Sequence, residues 1–309
     1  MSYRIRARNR ADEEVRKVAL GRLVKAVQAL SVPPEQQAEG VHQARKRFKE
    51  LRALLRLVRT PLGKRFAQEN HRIRDAGREL AELRDVTAML ESWDALAEHY
   101  GQPFSAGPMQ QVRQRLQGRA DNAMAGEAGD TAAQIPKVIA ELERTIGEVE
   151  GWSLSGKGFG LFAEGLARTY GDGRAELELV RRDPSDEQLH EWRKRVKDLW
   201  YQTRLLMDAW PAVLRTQCKL LKRLADALGD DHDLAMMQQL MAQEPELFGS
   251  EETRGQIQRY LKARRELLQG DALVLGGRVY AESPKALVKR WQRYWKIARR
   301  EADETNDAD

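Results

Sequence analysis

Five cations and a histidine recur at helical spacing near the start of this chain. At 100° per residue, His42, Arg45, Lys49, Arg52, Arg56 and Arg59 fall within about a 100° stripe of one helix. Val41, Ala44, Phe48, Leu51, Leu55 and Val58 occupy the neighbouring arc and supply a face that can enter a core. Such a row has no nucleophile and no metal-ligand spacing; its chemistry is the binding of phosphate or another anion. Arginine bridges two phosphate oxygens as a planar fork, and lysine acts as a point charge that tolerates sliding.

The row is written twice. Sliding the sequence by 148 residues superimposes His42, Arg45, Lys46, Arg47, Lys49, Leu51, Arg56 and Leu57 on His190, Arg193, Lys194, Arg195, Lys197, Leu199, Arg204 and Leu205. Eight identities in sixteen positions far exceed the one or so that ordinary residue usage gives. Trp200 and Met207 stand where the first copy has Arg52 and Arg59, so the second face is expected to bind less strongly. The same offset pairs Arg74 with Lys222, Leu80 with Leu228, Asp85 with Asp233 and Met89 with Met237. His71, Arg74, Arg78 and Asp85, with Lys219, Lys222, Asp226 and Asp233 in the second copy, would form a further wall beside each row. A third basic row runs through Lys285, Lys289, Arg293, Lys296 and Arg300, with Trp291 and Trp295 on other faces. Solvated charge is the ordinary meaning of one such row; duplication at a fixed offset favours a ligand.

The elements that must position these residues are helices. Apolar residues recur every three or four positions from about 11 to 300, and no run alternates as a strand would. The fold class is therefore all-α, with about ten helices. Breaks are expected at Pro33–Pro34, Pro61, Gly101–Pro108, Gly126–Asp130, Gly151–Gly160, Gly171–Gly173, Pro184, Pro211 and Gly270–Gly277. The repeat predicts two helical-bundle halves, 1–152 and 153–300, facing each other across a pseudo-twofold axis. An acidic, disordered tail is expected over 301–309.

Composition agrees with a polyanion partner. The 309 residues are 41% hydrophobic and 32% charged, enough apolar material for a core beneath a charged surface. Lys and Arg number 53 against 47 acids, a balance of +6, and the five acids after residue 300 leave +11 on the rest. The choice of polyanion, nucleic acid, polyphosphate or an anionic membrane, stays open on charge alone. The charged N-terminus has no signal-peptide core and no apolar run reaches a membrane span, so a cytoplasmic protein is expected.

The stretches His42-Gln43-Ala44-Arg45-Lys46-Arg47-Phe48-Lys49 and His190 to Tyr201 resemble the CHAD family, the conserved histidine α-helical domain. Leu83-Arg84-Asp85-Val86 and Leu228-Gly229-Asp230-Asp231-His232-Asp233-Leu234 resemble that family's second motif in both halves. The resemblance covers about residues 11 to 300. It implies two four-helix bundles related by pseudo-twofold symmetry and a basic groove that binds inorganic polyphosphate, with no established catalysis and no cofactor. Residue by residue it carries over His42, Arg45, Lys46, Lys49, Arg52 and Arg56, then His190, Arg193, Lys194, Lys197 and Arg204. Arg74, Arg78, Lys219, Lys222, Lys289 and Arg293 join them as expected contacts from the basic rows. Asp85 and Asp233 are assigned structural support, either capping a helix or orienting Arg45 and Arg193. The family is often fused to a triphosphate tunnel metalloenzyme domain; Glu176-Leu177-Glu178-Leu179-Val180 lacks that domain's lysine, and a stand-alone chain associated with polyphosphate granules is expected.

Rival chemistries have weaker support. His232-Asp233 is similar to the ligand pair of metal-dependent phosphohydrolases, but no two histidines sit at i,i+4 spacing, and a helix start rich in acids is the plainer reading. Gly156-Lys157-Gly158-Phe159-Gly160 follows no strand and lacks the Gly-Lys-Ser/Thr ending of a phosphate-binding loop. Cys218 has no Cys-His partner pattern. Nucleic acid is the serious alternative, because counterion release rewards any basic groove; the 6% aromatic content leaves few stacking platforms. The acidic tail is a candidate internal competitor for the basic surface. Histidines beside a bound polyanion would favour their protonated form, so stronger binding at mildly acidic pH is expected.

Overall fold

The computed structural model describes residues 2–80, 82–105 and 107–306, with side chains for all of these except 82–88, 123–132, 305 and 306. Among the described residues eleven α-helices follow one another: α1 (Ala11–Leu30), α2 (Gln37–Leu57), α3 (Arg59–Leu62), α4 (Arg65–Glu79), α5 (Glu82–Tyr100), α6 (Pro108–Val149), α7 (Gly160–Arg182), α8 (Asp186–Leu205), α9 (Pro211–Gln243), α10 (Glu251–Val279) and α11 (Pro284–Asn306). No strand occurs among the described residues, and the protein is all-α.

Helix starts follow local chemistry. Prolines open α6, α9 and α11, where a missing N–H costs nothing. The Ser185 hydroxyl accepts from Gln188 N at 3.2 Å to cap α8, and Ser250 accepts from Thr253 N at 3.2 Å to cap α10. Three expected breaks are absent: α6 runs through Gly126–Asp130, α7 through Gly171–Gly173 and α10 through Gly270–Gly277. At two of these the glycine serves close packing instead. A Cβ on Gly173 would stand 2.3 Å from the Tyr280 hydroxyl, and one on Gly276 would stand 2.5 Å from Trp192. α11 continues to Asn306, because Glu301, Ala302 and Glu304 are good helix formers that extend a helix already anchored by its apolar face. Residues 307–309 lie outside the described residues.

Helix ends in the two halves fall close to the 148-residue offset, α1 with α7 and α2 with α8, whereas α4 and α5 correspond to the single helix α9. The apolar core does not divide at residue 152. A large cluster joins Phe48, Leu51 and Leu54 of α2 to Val196 and Leu199 of α8, with Phe162, Tyr170, Trp291 and Trp295 beneath. A second cluster joins Trp93 of α5 and Val112 of α6 to Met237 of α9 and Ile257 of α10. Each draws apolar area from both halves, so burial couples them into one body.

The N-terminal segment is threaded into this centre. Tyr3, Ile5 and Ala7 are buried at alternate positions. Ile5 N donates to Leu205 O at 2.9 Å, Tyr3 Oη donates to Glu50 O at 2.8 Å, and Ala7 N donates to Asp208 at 2.9 Å. Charged neighbours at every second position disguise this segment in the sequence.

Candidate functional site

Helices α2 and α8 supply the centre of the site because each turns an apolar arc to the core and a charged arc away from it. Ion pairs join them reciprocally. Arg56 of α2 donates to Asp198 of α8 at 2.8 Å, and Arg204 of α8 faces Glu50 of α2 at 3.4 Å. Within each helix an arginine three residues earlier meets the same acid, Arg47 with Glu50 at 2.8 Å and Arg195 with Asp198 at 3.7 Å. The three residues from α2, Arg47, Glu50 and Arg56, lie 148 positions before the three from α8, Arg195, Asp198 and Arg204.

Beside this junction is a cleft of about 790 Å³ lined by α2, α5, α8, α9 and α10. Arg45, Lys49, Arg52 and Arg56 enter from α2; Arg193, Lys194, Arg195 and Lys197 enter from α8. With Arg264 of α10 the lining holds nine cations against four acids, Glu91, Asp198, Asp230 and Asp233. The crowding has an electrostatic signature. Burial, followed by the charge of Arg56, pushes the Arg52 guanidinium down to about 10, and Arg74 and Arg78 press in the same direction. An anion placed here relieves repulsion among groups already partly stripped of water.

Two of the cations also hold helices. Arg45 Nη1 donates to Gly77 O and Leu80 O, both at 2.9 Å, satisfying carbonyls left open where α4 ends. The corresponding Arg193 lies against Gly229, where a Cβ would stand 3.2 Å from its Nη2, and α9 passes this point unbroken. Arg193 Nη1 is 3.9 Å from Asp233, which places Asp233 beside the arginine it was expected to orient. Asp233 caps nothing, because it sits in the middle of α9. The side chain of Asp85 lies outside the described residues.

Without a ligand the two cleft histidines are held in their neutral form. His190 and His232 both line the cleft, with ring centroids 4.3 Å apart. Burial, followed by His232, Lys194 and Arg193, drives His190 down to about 4; burial and Arg193 lower His232. Both are therefore neutral at pH 7 in the ligand-free protein. The cations that act on His190, Lys194 and Arg193, share its helix, while His232 and the burial come from the packing of α8 against α9. His190 Nδ1 is buried without a hydrogen-bond partner among the described residues.

Other expected contacts lie elsewhere. His42 and Lys46 are on α2 outside the cleft lining, and Arg59 has left α2 for α3, where it stacks 4.9 Å from the Phe66 ring. Arg74 pairs with Asp75 at 2.9 Å, and Arg78 is exposed beside the same acid, so both act on the cleft through their charge on Arg52. Arg204 is taken up by Glu50 and by the rings of Tyr3 and Trp200, each 5.0 Å from its guanidinium carbon. Lys219 and Lys222 line a shallow groove of about 360 Å³ that shares Asp230 with the main cleft, and Lys222 pairs with Asp226 at 2.6 Å. Lys289 is exposed on α11, and Arg293 lines a different cleft. Lys194 reaches the main cleft while paired with Glu191.

Sequence reading missed Arg195 and Asp198 as cleft residues, although Arg195 is one of the eight repeated identities. It also missed Arg264, which no repeat or row signals. His232 and Asp233 face His190 and Arg193 respectively, in mid-helix and not at a helix start. Among the described residues, no group of three His, Cys, Asp or Glu side chains converges as a metal site would need. The buried Cys218 thiol is pushed up to about 11 by desolvation, away from nucleophile chemistry at neutral pH. No helix among the described residues is long and apolar enough to cross a membrane.

Two comparisons with known proteins complete the description. The family model described as the CHAD domain matches residues 16–242, more than half of the chain and every cleft-lining residue but Arg264. No curated protein matches the chain significantly.

Proposed function

This chain belongs to the CHAD family, and from that premise we propose that its central cleft binds inorganic polyphosphate without catalysing a reaction on it. The observation that carries the reading is the lining itself: nine cations against four acids, contributed in nearly matched sets by α2 and α8. A linear phosphate polymer presents charge at regular intervals and offers no base to read, so its affinity comes from displaced counterions and charge-assisted hydrogen bonds. Arg52 and Arg56 provide forks; Lys49 and Lys197, one from each half, provide mobile charges across the cleft. The halves 1–152 and 153–300 are read as related bundles whose central helices build one surface. A chain with this ligand belongs with polyphosphate granules in the cytoplasm.

Nucleic acid fits the lining less well. Among the described residues the only Tyr, Trp or Phe in it is Tyr201, which is 5% exposed and offers no stacking face.

The test is binding of long-chain polyphosphate across a salt series, with single- and double-stranded nucleic acid as competitors, to wild type and to Lys49→Ala/Lys197→Ala. This pair is preferable to Arg45 and Arg193, which also hold helices. The variant is expected to stay helical, to lose roughly 10- to 100-fold in affinity at low salt, and to show a salt dependence shallower by about one to two in log–log slope. Equal competition by nucleic acid, or unchanged binding by the variant, overturns the reading.

A further inference from the structure

Helix α11 carries a second basic surface that the central cleft does not use. Its Leu287, Trp291 and Trp295 are buried in the main core, while Lys285, Lys289, Arg293, Lys296 and Arg300 are exposed along about 22 Å of helix. Arg293, Lys296, Arg299 and Arg300 line one side of a separate cleft of about 800 Å³. Lys157 enters it from the segment between α6 and α7, where Gly156 and Gly158 take φ values of +112° and +54° that other residues rarely adopt. The lining thus holds five cations and one acid, Asp303, and shares no residue with the central cleft.

None of these five cations makes an ion pair among the described residues. Exposed cations elsewhere commonly do, as Arg113 does with Asp94 at 2.6 Å and Lys137 with Glu79 at 3.1 Å. Convergence of unneutralised charge from two separate elements onto one concave surface costs self-repulsion that a bound polyanion relieves. The floor selects among polyanions. Phe159 and Trp295 are 4% and 2% exposed, so no ring is presented for base stacking. The apolar face of α11 is committed to the core, which leaves nothing to insert into a bilayer beyond Ile297.

The geometry points to this cleft as a second anion site that takes a separate segment of a phosphate chain. The inference rests on the reading of the central cleft as a polyphosphate site. A short phosphate chain fills the two clefts independently; a long one that reaches both gains avidity from the high effective concentration of its second segment.

Titration calorimetry on the full chain tests this, with tripolyphosphate and long-chain polyphosphate as ligands. Wild type is compared with Arg293→Ala/Lys296→Ala/Arg300→Ala, all exposed positions, and with Lys49→Ala/Lys197→Ala. Wild type is expected to bind two tripolyphosphates and each variant one, with long-chain affinity reduced by about tenfold or more in either variant. If the α11 variant keeps both stoichiometry and long-chain affinity, this inference fails while the central site stands. If only the α11 variant loses binding, the central reading fails and the α11 site remains. Phosphatidylserine vesicles and duplex DNA are run on the same proteins; their loss in the α11 variant, with two tripolyphosphates still bound, would overturn the assignment of a phosphate chain to this cleft.

Discussion

The ion-pair clusters around Glu50 and around Asp198 are built from the same parts. Each has an acid, an arginine three residues before it and an arginine from the other central helix. Their surroundings differ. Glu50 is fully buried and gains Arg22, itself 3% exposed, at 3.0 Å, while Tyr3 lies over the cluster and donates to the Glu50 carbonyl. Asp198, Arg195 and Arg56 instead line the open cleft. The difference teaches that a repeated charge pattern becomes scaffold where a third element covers it and stays open to a cleft where nothing does. Arg56 and Arg204 illustrate this most directly: equivalent by sequence, one borders the cleft and the other is stacked among Tyr3 and Trp200.

The comparison can be broken at its acids. Glu50→Gln leaves Arg22 buried without its carboxylate and is expected to cost about 3–5 kcal/mol of stability in urea denaturation, with polyphosphate affinity per folded molecule unchanged. Asp198→Asn is expected to cost less, about 1–3 kcal/mol, because the cleft admits water to Arg56 and Arg195; removing an acid from the lining should also raise polyphosphate affinity a few-fold. Equal losses of stability would show that cover by the N-terminal segment is not what separates the clusters.

The equivalent arginines give a sharper and smaller contrast. Arg56→Ala is expected to lower polyphosphate affinity by roughly tenfold, as loss of one close phosphate contact does. Arg204→Ala should leave affinity within about twofold while costing stability of about 1–3 kcal/mol, through the lost charged contact to Glu50 and the ring stacking. Matching affinity losses would mean that Arg204 reaches the ligand after all.

The smallest expected effect concerns pH. His190 titrates near 4, below its ordinary 6.5, because burial and neighbouring cations oppose its charge. A polyanion raises that value, so proton-linked affinity grows only as pH falls below the ligand-bound pKa and levels off below the free one. At fixed salt, affinities at pH 6 and pH 8 are expected to agree within about twofold and to rise below about pH 5.5. Without ligand the same depression works against the fold: the unfolded chain takes up the proton first, so this contribution to stability is lost as pH falls from about 6.5 towards 4. A severalfold affinity change between pH 6 and 8 would place the histidines closer to the bound chain than their ligand-free environment implies.

Much of the fold was legible because its signals are local. Apolar periodicity marked the helices, and Pro184 and Pro211 marked true boundaries. Glycines misled at 171–173 and 270–277, where their lack of a side chain makes room for Tyr280 and Trp192 across the fold. The site divided in the same way. Arg45, Lys49, Arg52, Arg56, His190, Arg193, Lys194 and Lys197 were readable from one helix face at a time and do share the cleft. Arg264 was not, since its helix carries no matching row, and neither was the diversion of Arg204.

By itself the sequence determined an all-α chain with basic rows at helical spacing, because side-chain direction along a helix follows from a 3.6-residue period that every residue obeys. Only the tertiary structure decided which cations meet. Tyr3–Ala7 closes over the Glu50 cluster from nearly two hundred residues before α8's end, and α11 meets Lys157 from across the chain. Such meetings depend on what packs against what, and desolvation and cover then set whether a charge holds the fold or is left for a ligand.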